Sequence, residues 1–416
     1  MIRSFYIDNF KSLVDFRIPP QPQALGQFVC LVGLNGAGKS TVLQSLDFLA
    51  HMAIGFVEGW LDVREWKKAD LTSRFLKRHV IQFEVEIEVS PLGRIVWEGT
   101  FNSVQLRCTR ERITANGSVV LNLADQKLSA VSALAEKTGN SHELHPFDMQ
   151  GLQYEGSSLS ILKSMQWHSA IEAVRDTMES VRALDLLSPH SIRRRAKKAK
   201  DIGYGGERLS AYLHGLKKDD KEKLLTKLSE FYPQVKALTT KSLPAGWKDL
   251  SVGEVYKDAS GKPLETAVRH VSDGLLRVLA VLSQVESLDS ISFLQVVDTL
   301  DERLPVSSVL FDEIENGINP ELMGRLVQHL LHARCQVFVT THSPLILNYL
   351  PDEVARESVI FLYRNPAGLT RAVRLFDLPS VHRKLELLGP GEVYVDTDLT
   401  TLPKEAETVL LLGATT

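Results

Sequence analysis

The octapeptide GLNGAGKS at residues 33–40 constrains this chain more than any other stretch of it. Its spacing, a glycine, four residues, then glycine, lysine and serine, is the one that lets a backbone loop wrap a row of phosphates. Gly33, Gly36 and Gly38 permit tight turns, so that the N–H groups of Asn35, Gly36, Ala37 and Gly38 converge on one side. A helix opening near Lys39 adds the positive end of its dipole. Lys39 is expected to pair with the β and γ phosphates of ATP, Ser40 to place its hydroxyl on Mg2+, and Thr41 to continue the helix start. The pattern alone would also suit a glycine-rich turn that holds no nucleotide. The context favours the nucleotide, because FVCLV at 28–32 is the continuous apolar run of a buried parallel strand and leads straight into the loop.

Two further stretches carry chemistry. SSVLFDEIENG at 307–317 is an apolar strand ending in Asp312 and Glu313. Adjacent residues at a strand end point in different directions, so Asp312 can hold Mg2+ through its water shell while Glu313 acts as general base on the attacking water. On its own such a pair would be a solvated strand cap; beside a phosphate loop it reads as a metal and base pair. CQVFVTTHSP at 335–344 puts His342 at the carboxyl end of another strand, where open α/β sheets bind ligands. His342 is either a satisfied core or capping residue or a sensor of the γ phosphate, and the company of the other motifs favours the sensor.

Elsewhere the pattern gives organisation. Residues 2–18 alternate as half-exposed antiparallel strands do, and 79–123 form a strand meander punctuated by PLGR and ANGS. From 159 to 232 the periodicity turns helical, and after 264 short apolar runs alternate with helices, which implies a mostly parallel sheet. The resulting division is an N-terminal part over 1–158, a helical insertion over 159–250 and a C-terminal part over 251–416. The tail after Pro390 carries no clear element signal. Basic and acidic side chains nearly balance at 48 against 51, so any contact with nucleic acid must use a local patch such as RRRAKKAK at 193–200. That run is either a solvated helix face or a DNA footprint. Cys30, Cys108 and Cys335 lack metal-ligand spacing and are expected as reduced, buried thiols. No secretory signal or membrane-length apolar run is read, so the expected location is cytoplasmic, with no membrane partner.

Taken in order, NFKSLVDFRI, GLNGAGKS, VSDGLLR, VLFDEIENGINP and VTTHSP resemble the heads of ABC-type ATPases. They are most similar to the bacterial AAA-family ATPases related to RecF, SMC and OLD-family ATPases. GYGGERLSAYLHGL and LGPGEVY extend the resemblance over most of the chain. It implies an α/β fold, an ABC-type P-loop NTPase head with a mostly parallel core sheet, an antiparallel β meander and a helical insertion. It also implies that Ser272 and Gly274 belong to the signature segment that meets the γ phosphate bound to a second subunit. Asn316 to Asn319 would then form the loop crossing the dimer interface. The chain departs from the pattern in having Ser-Asp-Gly where transporters and SMC proteins carry Ser-Gly-Gly, and Asn319 where relatives often have histidine. No glutamine loop is evident; Gln150 and Gln153 are the candidates. Arg277, one turn into the signature helix, is open between an intrachain salt bridge and a contact with nucleotide or the opposing subunit.

A signature acting in trans makes hydrolysis depend on a homodimer or higher homo-oligomer. The favoured reading is an ATPase that regulates a partner or a DNA transaction in anti-phage defence, beside the separately encoded effector nuclease that the resemblance implies. The alternative is a RecF-like DNA repair ATPase, with a transporter ATPase subunit behind both.

Overall fold

The computed structural model describes residues 1–20, 23–137, 144–149, 151–162, 167–185, 189–298 and 307–413. Its centre is a six-stranded sheet in the order Val181–Asp185, Ser308–Asp312, Gln336–Thr340, Phe28–Val32, Val359–Arg364, Thr370–Arg374. The first five strands run parallel and the sixth closes the edge antiparallel. Phe28–Val32 and Gln336–Thr340 are buried at every position, as their uninterrupted apolar sequences require of strands covered on both faces.

Alternate side chains of this sheet feed two cores. Val29, Leu31, Leu310 and Phe338 face the phosphate-loop helix Lys39–Ile54 and an antiparallel sheet beyond it. Cys30, Val32, Val309, Phe311, Val337 and Val339 face the opposite layer, which includes the long helix Asp273–Asp298 and the helices near the C-terminus. The antiparallel sheet has eight strands, runs from Phe16–Ile18 at one edge to Leu144–Asp148 at the other, and contains the expected meander. Phe48, on the phosphate-loop helix, packs against Phe10, Trp60 and Phe101 at ring separations of 5.3, 5.7 and 5.2 Å. The Gln336 side chain joins the two sheets, accepting from the Ile2 N–H at 2.9 Å and donating to the carbonyls of Ile2 and Gly26.

The stretch 159–250 is helical only in part. It contains the helices Ser169–Glu179 and Lys218–Phe231, but also the core edge strand Val181–Asp185 and the first strand, Val235–Ser242, of a small three-stranded antiparallel sheet. The tail after Pro390 forms two helices, Pro390–Val395 and Leu402–Gly413. All three cysteines are free and buried.

Candidate functional site

Four of the parallel strands deliver chemistry to the same carboxyl edge of the sheet. At the end of Phe28–Val32 the chain turns through Gly33, Gly36 and Gly38, with φ of 145°, 77° and 107°. These are values that only glycine adopts without strain. Leu34, Asn35 and Gly36 are exposed at the crest of the loop. Gly38 caps the following helix without a side-chain hydrogen bond, so the first-turn N–H groups are left for a ligand. Thr41 lies in that first turn, half-buried.

The neighbouring strands complete the centre. The Ser40 hydroxyl donates to the Asp312 carboxylate at 3.0 Å, which sets two oxygen ligands for a divalent cation side by side. Thr340, wholly buried on the histidine strand, donates its own hydroxyl to the same Asp312 oxygen and accepts the Glu313 N–H at 2.7 Å. Burial raises the Asp312 carboxyl above its ordinary value against the lowering hydrogen bonds of Thr340 and Ser40, and the charges of Asp185 and Glu313 add to the rise. That is the electrostatics of a site suited to a cation.

Glu313 occupies the left-handed region at φ 46°, unusual for a non-glycine residue. The Thr340 contact fixes its backbone, and the Asn316 side-chain amide donates to its carboxylate. Lys39 is buried, with its ammonium donating to the carbonyls of Gly33 at 2.9 Å and Leu34 at 3.3 Å. Burial lowers its pKa, and the nearby Asp312, Glu313 and Glu315 oppose the shift. Lys39 Nζ also stands 3.3 Å from His342 Nδ1. A charged ammonium can only donate, so Nδ1 is the acceptor and the ring proton sits on Nε2, 3.7 Å from the Glu313 carboxylate. His342 is held below the usual imidazole range, first by burial and then by the Lys39 charge. Glu315, which the sequence did not single out, positions the histidine by accepting the His342 N–H at 2.7 Å.

The signature segment stands apart from this cluster. Ser272 and Asp273 are exposed, and among the described residues no hydrogen bond joins Ser272 or Gly274 to residues 33–41. The charged residue in the Ser-Asp-Gly departure has an intrachain role. Asp273 is ion-paired with Arg193, whose guanidinium also donates to the Val271 carbonyl at 2.6 Å. The first residue of the basic run therefore anchors the signature, while Arg194, Lys197, Lys198 and Lys200 remain exposed.

Arg277 makes an intrachain contact, but with a carbonyl in place of the carboxylate of a salt bridge. Buried over Gly317, it donates to the Asn316 carbonyl at 2.6 Å. A Cβ on Gly274 would stand 3.0 Å from the Gly317 carbonyl oxygen, so the signature and the loop after Glu313 are in direct contact. Replacing Arg277 with Met is expected to cost about 2 kcal/mol by orphaning that carbonyl. Urea unfolding checks it, and a wild-type midpoint would show the contact to be idle.

Gln150 lies outside the described residues, and Gln153 is exposed next to Tyr154, whose hydroxyl donates to the Cys108 carbonyl in the antiparallel sheet. The residue that does flank the metal ligands is Asp185, in register with Asp312 on the edge strand.

Comparison with known proteins adds family and fold. Residues 1–142 match a family model described as "AAA ATPase domain". Residues 159–348 match one described as "AAA domain, putative AbiEii toxin, Type IV TA system". The curated proteins give no match. Among solved structures, an SMC head bound to the C-winged helix domain of ScpA shares the fold at 11% identity and a TM-score of 0.51, covering 93% of this chain and 99% of that one. The SMC head domain from Thermotoga maritima aligns at 12% identity and a TM-score of 0.43, covering 90% and 98%. RecF with ATP, from the RecFOR pathway, aligns at 14% identity and a TM-score of 0.40, covering 90% and 99%.

Proposed function

The chain belongs to the AAA-type P-loop ATPases, matched on both sides of residue 150, and from that premise we propose that it binds ATP with Mg2+ and hydrolyses it as a homodimer. The observation that carries this reading is the Ser40–Asp312 contact at the mouth of an uncapped helix, with Lys39, Glu313 and His342 around it. The residues fit nucleotide and metal: first-turn N–H donors that no capping side chain takes up, for phosphate, and a hydroxyl and a carboxylate as hard oxygen ligands for magnesium. Bound Mg2+ would neutralise charge on the β and γ phosphates. Lys39 moves from its loop carbonyls to those phosphates, Glu313 takes a proton from the attacking water, and neutral His342 directs Nε2–H toward the γ phosphate. Ser272, exposed, and Gly274, half-buried, are not bonded to their own loop and supply a hydroxyl and N–H groups to the nucleotide of a second subunit.

What the engine drives is a partner protein, in the cytoplasm. The toxin and toxin–antitoxin wording of the family model supports anti-phage defence with a separately encoded effector nuclease. The SMC head of similar fold was likewise solved with a separate protein bound. Light scattering with and without ATP tests the dimer, and co-purification with the products of adjacent genes tests the effector. A chain that binds ATP and stays monomeric at every concentration overturns the composite site. Among the described residues no helix is long and apolar enough to cross a membrane.

The exposed Arg194, Lys197, Lys198 and Lys200 favour a second reading, in which DNA is bound directly. Changing Arg194, Lys198 and Lys200 to Glu should then weaken duplex binding and flatten its salt dependence, by roughly 0.9 in log–log slope per lost phosphate contact. Arg193 is left intact because it holds Asp273. Unchanged binding at low salt retires the DNA footprint.

A further inference from the structure

The edge strand Val181–Asp185 ends where the carboxylate strand ends, with Asp185 paired in parallel register to Asp312. Residues in register on neighbouring parallel strands project to the same face. Both carboxylates accordingly line one small cavity, of about 20 Å3, together with Ser40, Gln44, Arg64 and Tyr204. That is room for about one water molecule. Asp185 is held at two points by the GYGGE segment, which the sequence motifs left without a role. Its N–H donates to the Tyr204 carbonyl at 2.8 Å, and its carboxylate accepts the Tyr204 hydroxyl at 3.3 Å. Tyr204 is fixed in turn by the Arg64 guanidinium, 4.0 Å above its ring and ion-paired with Asp47.

Two carboxylates at adjacent strand ends repel each other unless positive charge lies near them, and the Arg64 guanidinium that lines the same cavity is already ion-paired with Asp47. We propose that Asp185 is a second carboxylate of the metal centre, accepting hydrogen bonds from the water around the divalent cation held at Ser40 and Asp312, with Tyr204 as its positioning residue. The proposal deepens the nucleotide reading above and rests on it. The Asp185 charge makes the site more selective for a divalent cation than an amide would.

Electron paramagnetic resonance titration of the full chain with Mn2+, in the presence of ATP, tests it directly. Asp185→Asn is expected to weaken Mn2+ about tenfold, in line with other residues one hydrogen bond away from a metal, and Asp185→Glu to restore part of the loss. ATP binding in EDTA should remain within about twofold of wild type, because the loop N–H groups and Lys39 are untouched. Equal Mn2+ affinity in Asp185→Asn and wild type overturns the proposal, as does a parallel loss of metal-free ATP binding in both variants, which would mark Asp185 as a structural prop. A wild-type chain that binds no ATP with or without metal fails the nucleotide reading itself, and this one with it.

Discussion

Glu313→Gln should retain ATP and lose about 10²–10⁴-fold in turnover, the usual worth of a positioned general base. The substitution keeps shape and volume but cannot take a proton. The backbone is expected to stay in place, because the left-handed conformation of Glu313 is secured by its N–H to Thr340 and not by the carboxylate. His342 and Lys39 still stand beside the site, so the γ phosphate is bound and not released. With ATP persisting at both composite sites, the variant should accumulate as a dimer or larger assembly. Phosphate release and light scattering together check this, and a variant that hydrolyses at the wild-type rate removes Glu313 from the role of base.

Gly33→Ala is expected to be a strongly disruptive substitution for a single methyl. A Cβ built there stands 2.2 Å from the Leu362 carbonyl oxygen, in the neighbouring core strand, and Gly33 holds φ 145°. Backbone cannot rotate aside as a flexible side chain can, so the cost combines a steric shift of a core strand with an unfavourable dihedral. Roughly 3 kcal/mol or more of stability should be lost, and nucleotide binding with it. Gly36→Ala is the control. Nothing lies within 4 Å of a Cβ there and only the φ of 77° is penalised, a cost of about 1–2 kcal/mol. Urea unfolding of the pair separates clash from dihedral, and equal losses would mean the close approach to Leu362 is relieved by some other movement.

Much of the site is legible in the sequence because its chemistry sits at the ends of strands buried on both faces. FVCLV, VLF and VFV are the apolar centres of those strands, and the residues that matter follow each of them closely. Asp185 escapes the same reading for a physical reason. Its strand, VRALD, lies at the edge of the sheet, is only partly buried, contains one β-branched residue and follows a helix directly. To periodicity it looks like that helix continued, which is how the whole of 159–250 came to read as helical. Thr340 and Glu315 hide differently, since a threonine inside a strand and a third acid after Asp-Glu have ordinary explanations. Only the tertiary arrangement shows one bonded to both Asp312 and Glu313 and the other to His342. The basic run misleads by its uniformity, because Arg193 is committed to Asp273 while its neighbours face solvent.

The strand order of the core sheet also bears on how the chain comes off the ribosome. Phe28–Val32 is made well before its two hydrogen-bonding neighbours, Gln336–Thr340 and Val359–Arg364. The interval from Val32 to Gln336 is roughly 300 residues, so at ~5–20 residues per second the strand waits roughly 15–60 s for its first partner. The antiparallel sheet and the phosphate-loop helix can cover one of its faces meanwhile, but neither pairs with its edges. A nascent or prematurely ended chain therefore offers two open edges of a wholly apolar strand to any neighbour. Chains ending before residue 336 should accumulate in the insoluble fraction, and the nucleotide loop becomes usable only once Gln336–Thr340 has been made.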